Sequence, residues 1–595
     1  MIARCILVTI FSFLLAACSK QEQEPVTMLA PSDGDILPEI PAFEAPKFEH
    51  RLAPIVAKLD TEADSWDSET VSAEIADQLV SLAHELEEHR SLKEADTWTT
   101  SSFSGTGMPS TASAFDDGHL NVFRPTAIGH RTESLHDLLH TLIEPFEKEE
   151  NLRIKFKVVR VAREDATIKT TVDYEASTPR RQHNARWKLT WEKVDESFKI
   201  TSLQIEDFEE IQSQSTQFQD LTASLLGSNT SFTQQLSRGS GYWTDRLERR
   251  YDLDSTGHQG IALGDVNGDG LEDVYVCQQG GMPNLLFVQQ PDGTLRDVSQ
   301  QAGVDWMENT HAALLVDLDN DGDQDLALAR AAYLIILEND GSGAFTLAAN
   351  ARNDSSYYSI AAIDYDNDSL LDLFFCGNSP RRSAGEGDGA RGGPPMPYHD
   401  ANNGGRNLLL RNEGEWKFSN VTREVGLDEN NSRYSFAASW EDYDNDGDLD
   451  LYVSNDFGRN NLYRNDDGKF RDIAAEAGVE DISAGMSVTW GDYNRDGLMD
   501  IYISNMFSSA GNRVTYQRQF RQGETEALAN FQRHARGNTL FRNRGDGGFD
   551  DVSLSAHVNM ARWAWGAKFA DINNDGWEDL YVANGYITAD DTEDL

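Results

Sequence analysis

The sequence predicts a mainly β protein in which a small α+β domain precedes a β-propeller with metal-binding loops. Three observations support this fold class: an acidic nine-residue motif recurs six times after residue 255, short alternating apolar runs flank each copy, and helical and then strand periodicity occurs before residue 210. The 595 residues are 25% charged and 39% hydrophobic, which are globular proportions. Their number exceeds one ordinary domain, so several modules or a repeat array are expected.

The charge balance excludes some classes of partner. There are 100 acidic and 51 basic residues, for a net charge of −49. Such a chain repels nucleic acid and anionic lipid surfaces, so neither is an expected partner. Four Cys cannot form a disulfide framework, and beyond the first 18 residues no apolar run is long enough to span a bilayer.

The first 18 residues are interpreted as a lipoprotein signal peptide. Arg4 precedes the apolar run Cys5–Leu15, which is too short to cross a membrane. The ending Leu-Ala-Ala-Cys resembles the bacterial lipobox, which implies lipidation of Cys18, and the following Ser19 implies sorting to the outer membrane of a Gram-negative-type bacterium. The alternative is an ordinary cleaved signal. Residues 19–48, rich in Glu and Pro, are expected to form a flexible tether.

Residues 49–210 are predicted to form the α+β domain, with two helices followed by four antiparallel strands. The apolar helix positions are Val71, Ile75, Leu79, Leu82 and Leu86, and then Leu135, Leu138, Leu139, Leu142 and Ile143. The alternating strand positions are Ile154, Phe156 and Val158; Ile168, Thr170 and Val172; Trp187, Leu189 and Trp191; and Phe198 and Ile200. The Ser/Thr/Gly-rich stretch Thr97–Asp116 is expected to be a loop. The arrangement resembles cystatin-like and transport-factor-like domains, and a spacer or assembly role is favoured over a binding pocket.

The acidic motif D-x-[DN]-x-D-G-x-x-D carries the chemistry of the second half. Its six copies, loops 1 to 6, begin at Asp265, Asp317, Asp364, Asp442, Asp492 and Asp571. We predict metal ligands at positions 1, 3, 5, 7 and 9 of each loop. These are Asp265, Asn267, Asp269, Leu271 and Asp273; Asp317, Asp319, Asp321, Asp323 and Asp325; Asp364, Asp366, Asp368, Leu370 and Asp372; Asp442, Asp444, Asp446, Asp448 and Asp450; Asp492, Asn494, Asp496, Leu498 and Asp500; and Asp571, Asn573, Asp575, Trp577 and Asp579.

The spacing within the motif suits calcium. Ca²⁺ takes about six to eight oxygen ligands at about 2.3–2.6 Å, and a tight loop brings the side chains of positions 1, 3 and 5 to one centre. Position 7 would supply a backbone carbonyl, so its side chain is free to vary, and position 9 returns a carboxylate. Gly at position 6 permits the positive-φ turn around the ion. Loop 3 has Ser369 there, which costs roughly 1 kcal/mol and makes this site the weakest.

Charge favours metal loops over solvated turns. Each loop places three or four Asp carboxylates at positions 1, 3, 5 and 9, and these repel one another strongly without a cation. A polar Asx turn explains one such motif but not six in register. Mg²⁺ demands compact octahedral geometry and Zn²⁺ prefers Cys and His ligands. Up to six Ca²⁺ sites are therefore expected.

Strands rather than helices flank the loops, so these are not EF-hands. Gly260–Gly264 and Val274–Val276 lie on the two sides of loop 1, and Asn461–Ile473 provides two further strands after loop 4. The first Asp of the motif recurs at intervals of 52, 47, 78, 50 and 79 residues. A unit near 50 residues with four short strands fits a propeller blade, which needs neighbours to bury its faces.

The loops and the Asn-x-Leu-[FY]-Arg-Asn signatures after them resemble FG-GAP/VCBS repeats, as in the integrin α-chain propeller. With Phe507–Arg513 and the terminal Asn584-Gly585, residues 240–595 look most like bacterial relatives of the cartilage acidic protein (ASPIC/UnbV) family. The resemblance implies a seven-bladed, calcium-binding, extracytoplasmic propeller used for binding. A seventh acidic loop and the outer-strand signature after Asn584 are missing. Either the chain is truncated, which is favoured, or the ring closes through Gly239–Tyr251.

Two insertions lengthen the repeat unit. Ser379–Arg406 is expected to be an exposed loop and Met506–Gly537 to be partly helical, and binding commonly resides in loops on a rigid scaffold. The second insertion contains a basic cluster, which either receives an anionic partner or, as favoured, pairs with neighbouring acidic groups. The cluster consists of Arg513, Arg518, Arg521, Arg533, His534 and Arg536.

One residue six positions before each loop is expected near the central channel of the propeller. Core packing is favoured for the apolar members of this set. The set is Gln259, His311, Tyr358, Phe436, Met486 and Trp565. Cys277 and Cys376 share a repeat position in non-adjacent repeats and are expected to be buried free thiols.

The main functional interpretation is a calcium-stiffened module that binds a protein or glycan, or mediates adhesion, and that contacts the membrane through a lipid anchor only. No Ser/His/Asp or Cys/His set and no pair of separately tuned carboxylates stands out, so no catalytic residue is assigned. The alternatives are a polysaccharide-acting enzyme on a propeller scaffold and a structural subunit of a cell-envelope assembly.

Overall fold

The computed structural model describes residues 67–164, 167–195, 197–216, 218–238, 242–243, 246–247, 259–330, 333–352, 354–380, 394–398, 400–517 and 520–585. All of them belong to one unit, Trp66–Leu595, and the other unit, Met1–Ser65, lies outside the described residues. The predicted signal peptide with Cys18, the tether and Arg518 therefore fall outside them as well. Among the described helices, none is long and apolar enough to cross a membrane.

Strands dominate the structure, and apart from α1 its helices are short. They are α1 (Asp67–His89), α2 (Ala95–Trp98), α3 (Leu135–Ile143), α4 (Thr222–Leu226), α5 (Ser299–Ala302), α6 (Ala474–Ala477), α7 (Ser509–Thr515) and α8 (Thr525–His534), with a 3-10 turn at Glu144–Phe146 and a π turn at Phe232–Leu236. Both predicted helices of the α+β domain are confirmed. Helix α1 buries the stripe that includes Leu79 and Leu82, and α3 begins where the Ser134 hydroxyl accepts the Asp137 N–H at 3.1 Å.

One eight-stranded sheet packs on α1 and α3, and together they form what we call the α+β body, residues 67–213. Its strands are β1 (Thr99–Thr106), β2 (Ser110–Asp116), β3 (Leu120–Ala127), β4 (Arg131–Thr132), β5 (Arg153–Glu164), β6 (Thr167–Ser177), β7 (Arg181–Val194) and β8 (Ser197–Ser213). The main path runs β2-β3-β8-β7-β6-β5, all antiparallel, and β1 pairs in parallel with β8. The four strands predicted from alternation are β5 to β8.

The prediction of a loop at Thr97–Asp116 is wrong. Strands β1 and β2 occupy most of this stretch, and β1 pairs with both β4 and β8. Its composition of Ser, Thr and Gly resembles a loop, but backbone pairing with a long neighbouring strand decides the conformation. Strand propensity depends strongly on such tertiary context.

The remaining strands form repeated antiparallel sheets, which together make up what we call the repeat body, residues 259–585. They are repeat 1 (β9 Ile261–Gly264, β10 Asp273–Val276, β11 Leu285–Gln289, β12 Leu295–Asp297), repeat 2 (β13 Thr310–Val316, β14 Asp325–Arg330, β15 Tyr333–Asn339, β16 Phe345–Arg352), repeat 3 (β17 Ser355–Ile363, β18 Asp372–Pro380, β19 Leu408–Asn412, β20 Phe418–Asn420), repeat 4 (β21 Ser435–Glu441, β22 Asp450–Asn455, β23 Asn461–Asn465, β24 Phe470–Asp472), repeat 5 (β25 Gly485–Gly491, β26 Asp500–Asn505, β27 Thr539–Asn543, β28 Phe549–Asp551) and repeat 6 (β29 Ala564–Ala570, β30 Asp579–Asn584).

The first strand of each repeat lies beside the first strand of the next, in the order β9, β13, β17, β21, β25 and β29. Separate apolar clusters fill the spaces between successive sheets, for example around Tyr452 and Trp490 between repeats 4 and 5. A mainly β, propeller-like succession of sheets is therefore present, as the repeat spacing predicts. Within the described residues, repeats 1 to 5 have four strands each and repeat 6 has two.

Strand direction separates two ends of the repeat body. Each acidic loop joins the first and second strands of its repeat, whereas both insertions join the second and third strands. Because neighbouring strands are antiparallel, these two kinds of connection lie at opposite ends of the sheets. We call the end with the acidic loops the loop face and the other end the insertion face.

The second insertion contains α7 and α8, which confirms the prediction of a partly helical segment. Its basic side chains are largely paired within the molecule. Arg533 contacts Asp481 at 3.0 Å and Asp551 at 2.7 Å, and Arg536 contacts Asp551 at 2.8 Å. Asp481 is fully buried, and these two arginines hold its pKa well below the usual range against the effect of burial. The structure thus favours internal pairing over an anion-receiving patch.

Helix α7 also attaches the α+β body to the repeats. The Arg513 guanidinium contacts the Glu69 carboxylate at 2.9 Å and donates to the Val158 carbonyl at 2.9 Å, while the Gln517 amide donates to Val161 O at 2.8 Å. Arg160 lies 3.7 Å from the ring centroid of Tyr516. Through these contacts the second insertion serves as an internal bridge.

Candidate metal centres

Each acidic loop starts after a first strand and ends at the first residue of a second strand, as in Asp325 of β14 and Asp450 of β22. The backbone at position 6 is left-handed in all six loops, with φ from +71° at Ser369 to +98° at Gly322 and Gly447. This is the conformation that Gly adopts without steric cost. Ser369, the non-Gly residue predicted to occupy this turn in loop 3, does lie in the left-handed region.

Position 4 is a feature that the sequence analysis missed. Its residues are left-handed too, with φ between +57° and +70°, and they are Gly268, Asn320, Asn367, Asn445, Arg495 and Asn574. Asn tolerates this region better than most side chains, so the frequency of Asn and Gly at position 4 was the available signal. Loop 5 instead places Arg495 there, and its guanidinium carbon lies 4.7 Å from the ring centroid of Trp577 in loop 6.

The first Asp of each loop organises the backbone around itself. In loop 4, Asp442 Oδ1 accepts the Asp446 N–H and Asp442 Oδ2 accepts the Gly447 N–H, both at 3.0 Å. Loops 1, 3, 5 and 6 repeat both bonds, and loop 2 repeats the second. The side chain at position 5 accepts the N–H of position 7 in every loop, for example Asp446 Oδ1 from Asp448 N at 3.0 Å.

Carboxylates at positions 1, 3 and 9 converge in loops 2, 3 and 4. In each loop one oxygen from each of the three lies within 4.8 Å of the others. The triads are Asp317, Asp319 and Asp325; Asp364, Asp366 and Asp372; and Asp442, Asp444 and Asp450. In loops 1, 5 and 6 an Asn occupies position 3, and its Oδ1 accepts the N–H of position 5 at 2.9–3.0 Å. Position 3 therefore presents an oxygen in these loops as well.

In loops 1 to 5, position 9 is a buried carboxylate at the junction of loop and sheet. Asp273, Asp325, Asp372, Asp450 and Asp500 are at most 1% exposed. Burial raises their pKa, to about 8 for Asp450 and about 7 for Asp325, Asp372 and Asp500, although two backbone N–H bonds to Asp325, Asp372 and Asp450, and one to Asp500, act in the opposite direction. Neighbouring Asp side chains raise these pKa values further. A bound cation would offset both the burial of these carboxylates and the repulsion from neighbouring Asp side chains.

Several loop oxygens are buried without a hydrogen-bond partner. They are Asp317 Oδ1 and Asp323 Oδ1 of loop 2 and Asp500 Oδ2 of loop 5. A buried carboxylate oxygen left unpaired is costly, whereas a hard cation supplies the missing interaction. Aspartate carboxylates with Asn and backbone oxygens are also the donor set that hard cations prefer. The loops therefore fit a divalent metal ion, which the converging triads of loops 2, 3 and 4 would hold.

The residues predicted near the channel come together across repeats. The rings of His311 and Tyr358 stack with centroids 4.5 Å apart, those of Tyr358 and Phe436 with centroids 5.2 Å apart, and Phe436 approaches Trp565 at 6.0 Å. Met486 is buried. Because these residues lie just before or in the first half of first strands, they are nearer the insertion face than the loop face. Cys277 and Cys376 are buried free thiols, as predicted.

The two insertions also meet on the insertion face. Tyr398 of the first insertion packs edge-on against Phe457 of repeat 4 at 5.0 Å and against His534 of the second insertion at 5.4 Å. Tyr398 is 51% exposed. The loop that carries Tyr398 is attached to repeat 4, since Asp400 contacts Arg459 at 3.1 Å and Arg433 at 3.4 Å. The described part of the first insertion is thus fixed on the sheets rather than projecting freely.

Comparison with known proteins supports the repeat assignment. The FG-GAP-like repeat family matches residues 265–328, 317–375, 442–503 and 526–582, which together contain all six acidic loops. Cartilage acidic protein 1 of Xenopus tropicalis is 28% identical over 127 residues, or 20% of each chain, and that of Homo sapiens is 26% identical over 133 residues, or 20% of this chain and 19% of the human one. The match thus spans about a fifth of the length of these curated relatives.

Solved structures give weaker similarities. A lectin of Agrocybe aegerita, described as recognising non-reducing terminal N-acetylglucosamine, covers 73% of this chain and 85% of its own at 11% identity, with a TM-score of 0.31. A cystatin-like domain from Nostoc punctiforme covers 29% of this chain and 94% of its own at 9% identity, with a TM-score of 0.16. The repeat matches, not these similarities, show FG-GAP-like repeats between residues 265 and 582 and support a resemblance to the cartilage acidic proteins.

Proposed function

We propose that the protein is a calcium-binding propeller whose ions stiffen the loop face. The observation that carries this proposal is the convergence of three Asp carboxylates in each of loops 2, 3 and 4, with unpaired buried oxygens in loops 2 and 5. Mutual repulsion of these carboxylates opposes the fold until a cation binds. Affinities of about 10⁻⁴–10⁻³ M suit an extracellular calcium module.

Isothermal titration of chelator-treated protein with CaCl₂ tests the sites. The native chain is expected to bind several ions, up to six, and Asp500→Asn to bind about one fewer, because it removes a buried ligand whose Oδ2 has no protein partner. Asp546→Asn is the matched control, since this Asp lies in an exposed turn of the same repeat, outside loop 5. The proposal is overturned if no heat of binding is detected up to about 10 mM CaCl₂, which is about ten times the largest Kd expected.

The second part of the proposal is that the insertion face binds a macromolecule. Both insertions lie there, and the contacting rings of His311, Tyr358, Phe436 and Trp565 lie nearer to it than to the loop face. Tyr398 adds an exposed aromatic side chain on a fixed loop. Aromatic side chains on a rigid support are frequent anchors of protein and glycan interfaces. FG-GAP repeats also suggest a binding or adhesion module. These observations support recognition at the end opposite to the ions.

A binding screen against immobilised glycans in the presence of CaCl₂ tests this face. Binding that is lost in Tyr398→Ala and retained in Phe115→Ala would support it, because Phe115 is a similarly exposed aromatic residue, 43% accessible, on β2 of the α+β body. Binding that both variants retain would place recognition elsewhere. If no glycan binds, glycan recognition is rejected in favour of a protein ligand.

The wider setting belongs to the same proposal. We take the protein to be an extracytoplasmic lipoprotein, anchored through Cys18, with its repeats contributing to a seven-bladed ring. Mass spectrometry of the protein from a membrane fraction would detect a diacylglyceryl group on Cys18, and unmodified Cys18 would contradict the anchor. No reaction is assigned to the protein. Polysaccharide turnover that His311→Ala abolishes would establish the enzymatic alternative instead.

A further inference from the structure

In each of loops 2 to 5, one Asn side chain connects the acidic loop to the acidic loop before it. These residues stand at the end of the third strand, and they are Asn339, Asn412, Asn465 and Asn543. All four are at most 3% exposed. Asn465 and Asn543 are the last Asn of the repeated Asn-x-Leu-[FY]-Arg-Asn signature, and Asn412 ends a similar segment with Leu410 at the aromatic position.

The same set of hydrogen bonds recurs at all four positions. The Asn339 amide donates to the carbonyl of Val266, position 2 of loop 1, at 2.8 Å, and to that of Gln324, position 8 of loop 2, at 3.0 Å. Its backbone N–H donates to Asp325 Oδ1, position 9 of loop 2, at 3.0 Å. Asn412, Asn465 and Asn543 make the equivalent three bonds to loops 2 and 3, 3 and 4, and 4 and 5.

The bonds reach groups that an ion would fix on both sides. Position 9 is a predicted ligand, and in loops 1 to 4 its other oxygen accepts the N–H of position 2 of the same loop at 2.9–3.3 Å. Position 2 lies between ligands 1 and 3. An ion bound in loop 2 would therefore fix the carboxylate of Asp325. Asp325 accepts the backbone N–H of Asn339, and the Asn339 amide donates to the backbone between two ligands of loop 1.

We propose that these four asparagines are positioning residues that make calcium binding cooperative between neighbouring loops. The inference rests on the calcium sites proposed above. An ion that orders one loop lowers the conformational entropy that the next ion must remove, and this gives positive coupling without a change of fold. Residues that orient metal ligands from outside the coordination sphere commonly alter metal affinity by about 10–100-fold. Loops 1 to 5 form the linked run.

The first repeat supplies a matched control. Gln289 occupies the equivalent position on β11, and its N–H donates to Asp273 Oδ1 at 2.8 Å as in the other repeats. Within the described residues its side chain makes no bond to another loop. Gln289→Ala therefore changes the same strand position without removing a bridge, whereas Asn339→Ala removes the bridge between loops 1 and 2.

The test measures loop 1 while loop 2 is disabled. Leu271→Trp places a sensitiser at position 7 of loop 1, as Trp577 does naturally in loop 6, and Tb³⁺ luminescence excited through this Trp, with Ca²⁺ as competitor, reports affinity at loop 1. The signal is the difference from the chain without Leu271→Trp. Asp319→Asn with Asp321→Asn disables loop 2. This change is expected to weaken loop 1 at least about fivefold in the native background and in Gln289→Ala, but less than about twofold in Asn339→Ala.

The outcomes separate this inference from the proposed function. If calcium binds but disabling loop 2 leaves loop 1 unchanged, or weakens it equally with and without Asn339, the bridge does not couple the loops and the calcium sites stand. If no Ca²⁺ competes for Tb³⁺, the calcium sites themselves are rejected. Should Asn339→Ala fail to fold, Asn543→Ala with a reporter at Leu498→Trp and with loop 4 disabled repeats the measurement for loops 4 and 5.

Discussion

The α+β body and the repeat body are stabilised in different ways. The α+β body has one continuous apolar core, with Trp187, Trp191 and Tyr174 at most 2% exposed. The repeat body has several smaller apolar clusters between sheets, and it also buries Asp and Asn side chains in every repeat from 1 to 5. Burying a charge is costly unless hydrogen bonds or a cation compensate it.

This difference shows where the proposed calcium acts. The core of the α+β body is mainly apolar, so the removal of apolar surface from water is its main source of stability. The repeat body places the carboxylate of position 9 where loop, second strand and third strand meet, so its stability depends on how that charge is compensated. Calcium removal should therefore affect the repeat body far more than the α+β body.

Calcium removal should give the largest difference between the bodies. Each site kept at about 100 times its Kd contributes about 2.7 kcal/mol to the free energy of unfolding, so several sites together exceed any single substitution. With excess chelator, we expect the melting temperature of the repeat body to fall by many degrees. Hydrogen exchange followed by mass spectrometry resolves the two bodies, and amides of β5 to β8 should keep their protection. An unchanged melting curve would contradict structural calcium.

A core substitution in the α+β body should have the reverse selectivity. Trp187 is fully buried, and Trp187→Ala is expected to lower the free energy of unfolding of that body by about 3–5 kcal/mol. Calcium affinity, measured by titration at a temperature where the variant is folded, should remain within error of the native value. A clear loss of affinity would show that the contacts of Arg513 with Glu69 and Val158 couple the bodies energetically.

Calcium should weaken the pH dependence of the stability of the repeat body. The folded pKa of Asp450 is about 8 and those of Asp325, Asp372 and Asp500 about 7, against about 4 in the unfolded chain. The folded chain thus holds the extra protons between about pH 4 and 8, so their stabilisation of the calcium-free protein is present at low pH and lost as pH rises through 7–8. Calcium needs the ionised carboxylates and binds more tightly over the same range.

The measurement is the melting temperature with and without CaCl₂ from pH 5.5 to 8.5. The difference between the two curves is expected to widen as the pH rises. A constant difference would mean that the carboxylates at position 9 are not ligands. Exchange protection of the α+β body at each pH provides the internal reference.

The smallest expected effect is a pair of reciprocal changes at position 6. Loops 3 and 4 have the same hydrogen bonds to their first Asp, but loop 3 adopts the left-handed turn with Ser369 and loop 4 with Gly447. A Cβ at Gly447 would meet no atom within 4 Å, so only backbone strain distinguishes the residues. Ser369→Gly should stabilise the repeat body by about 1 kcal/mol and Gly447→Ser destabilise it by a similar amount. Changes of the same sign in both variants would refute this explanation.

The sequence predicted the parts of the fold that local chemistry determines. The period of the acidic motif located each loop between a first and a second strand, and the apolar stripe of α1 and the alternation of β5 to β8 were read correctly because one face of each element is buried. Strands β1 and β2 were missed, since their Ser- and Thr-rich sequence becomes strand only through pairing with β3, β4 and β8.

Contacts across long separations could not be predicted in this way. The Asn465 amide reaches the Tyr365 carbonyl 100 residues away, and Arg513 reaches Glu69 across 444 residues. The repeated Asn was visible in the sequence, but its role depends on how one sheet lies against the next. For the same reason the sequence favoured pairing of the basic cluster with neighbouring acidic groups but could not identify Asp481 and Asp551 as the partners of Arg533.

The placement of acidic loops and insertions at opposite ends of the strands has a consequence for how such a scaffold can diversify. A connection between second and third strands lies at the end opposite to the acidic loops, so residues added or exchanged there leave the register of these loops unchanged. A new specificity can then arise by replacing one insertion, while the mechanical frame beneath it keeps its dimensions.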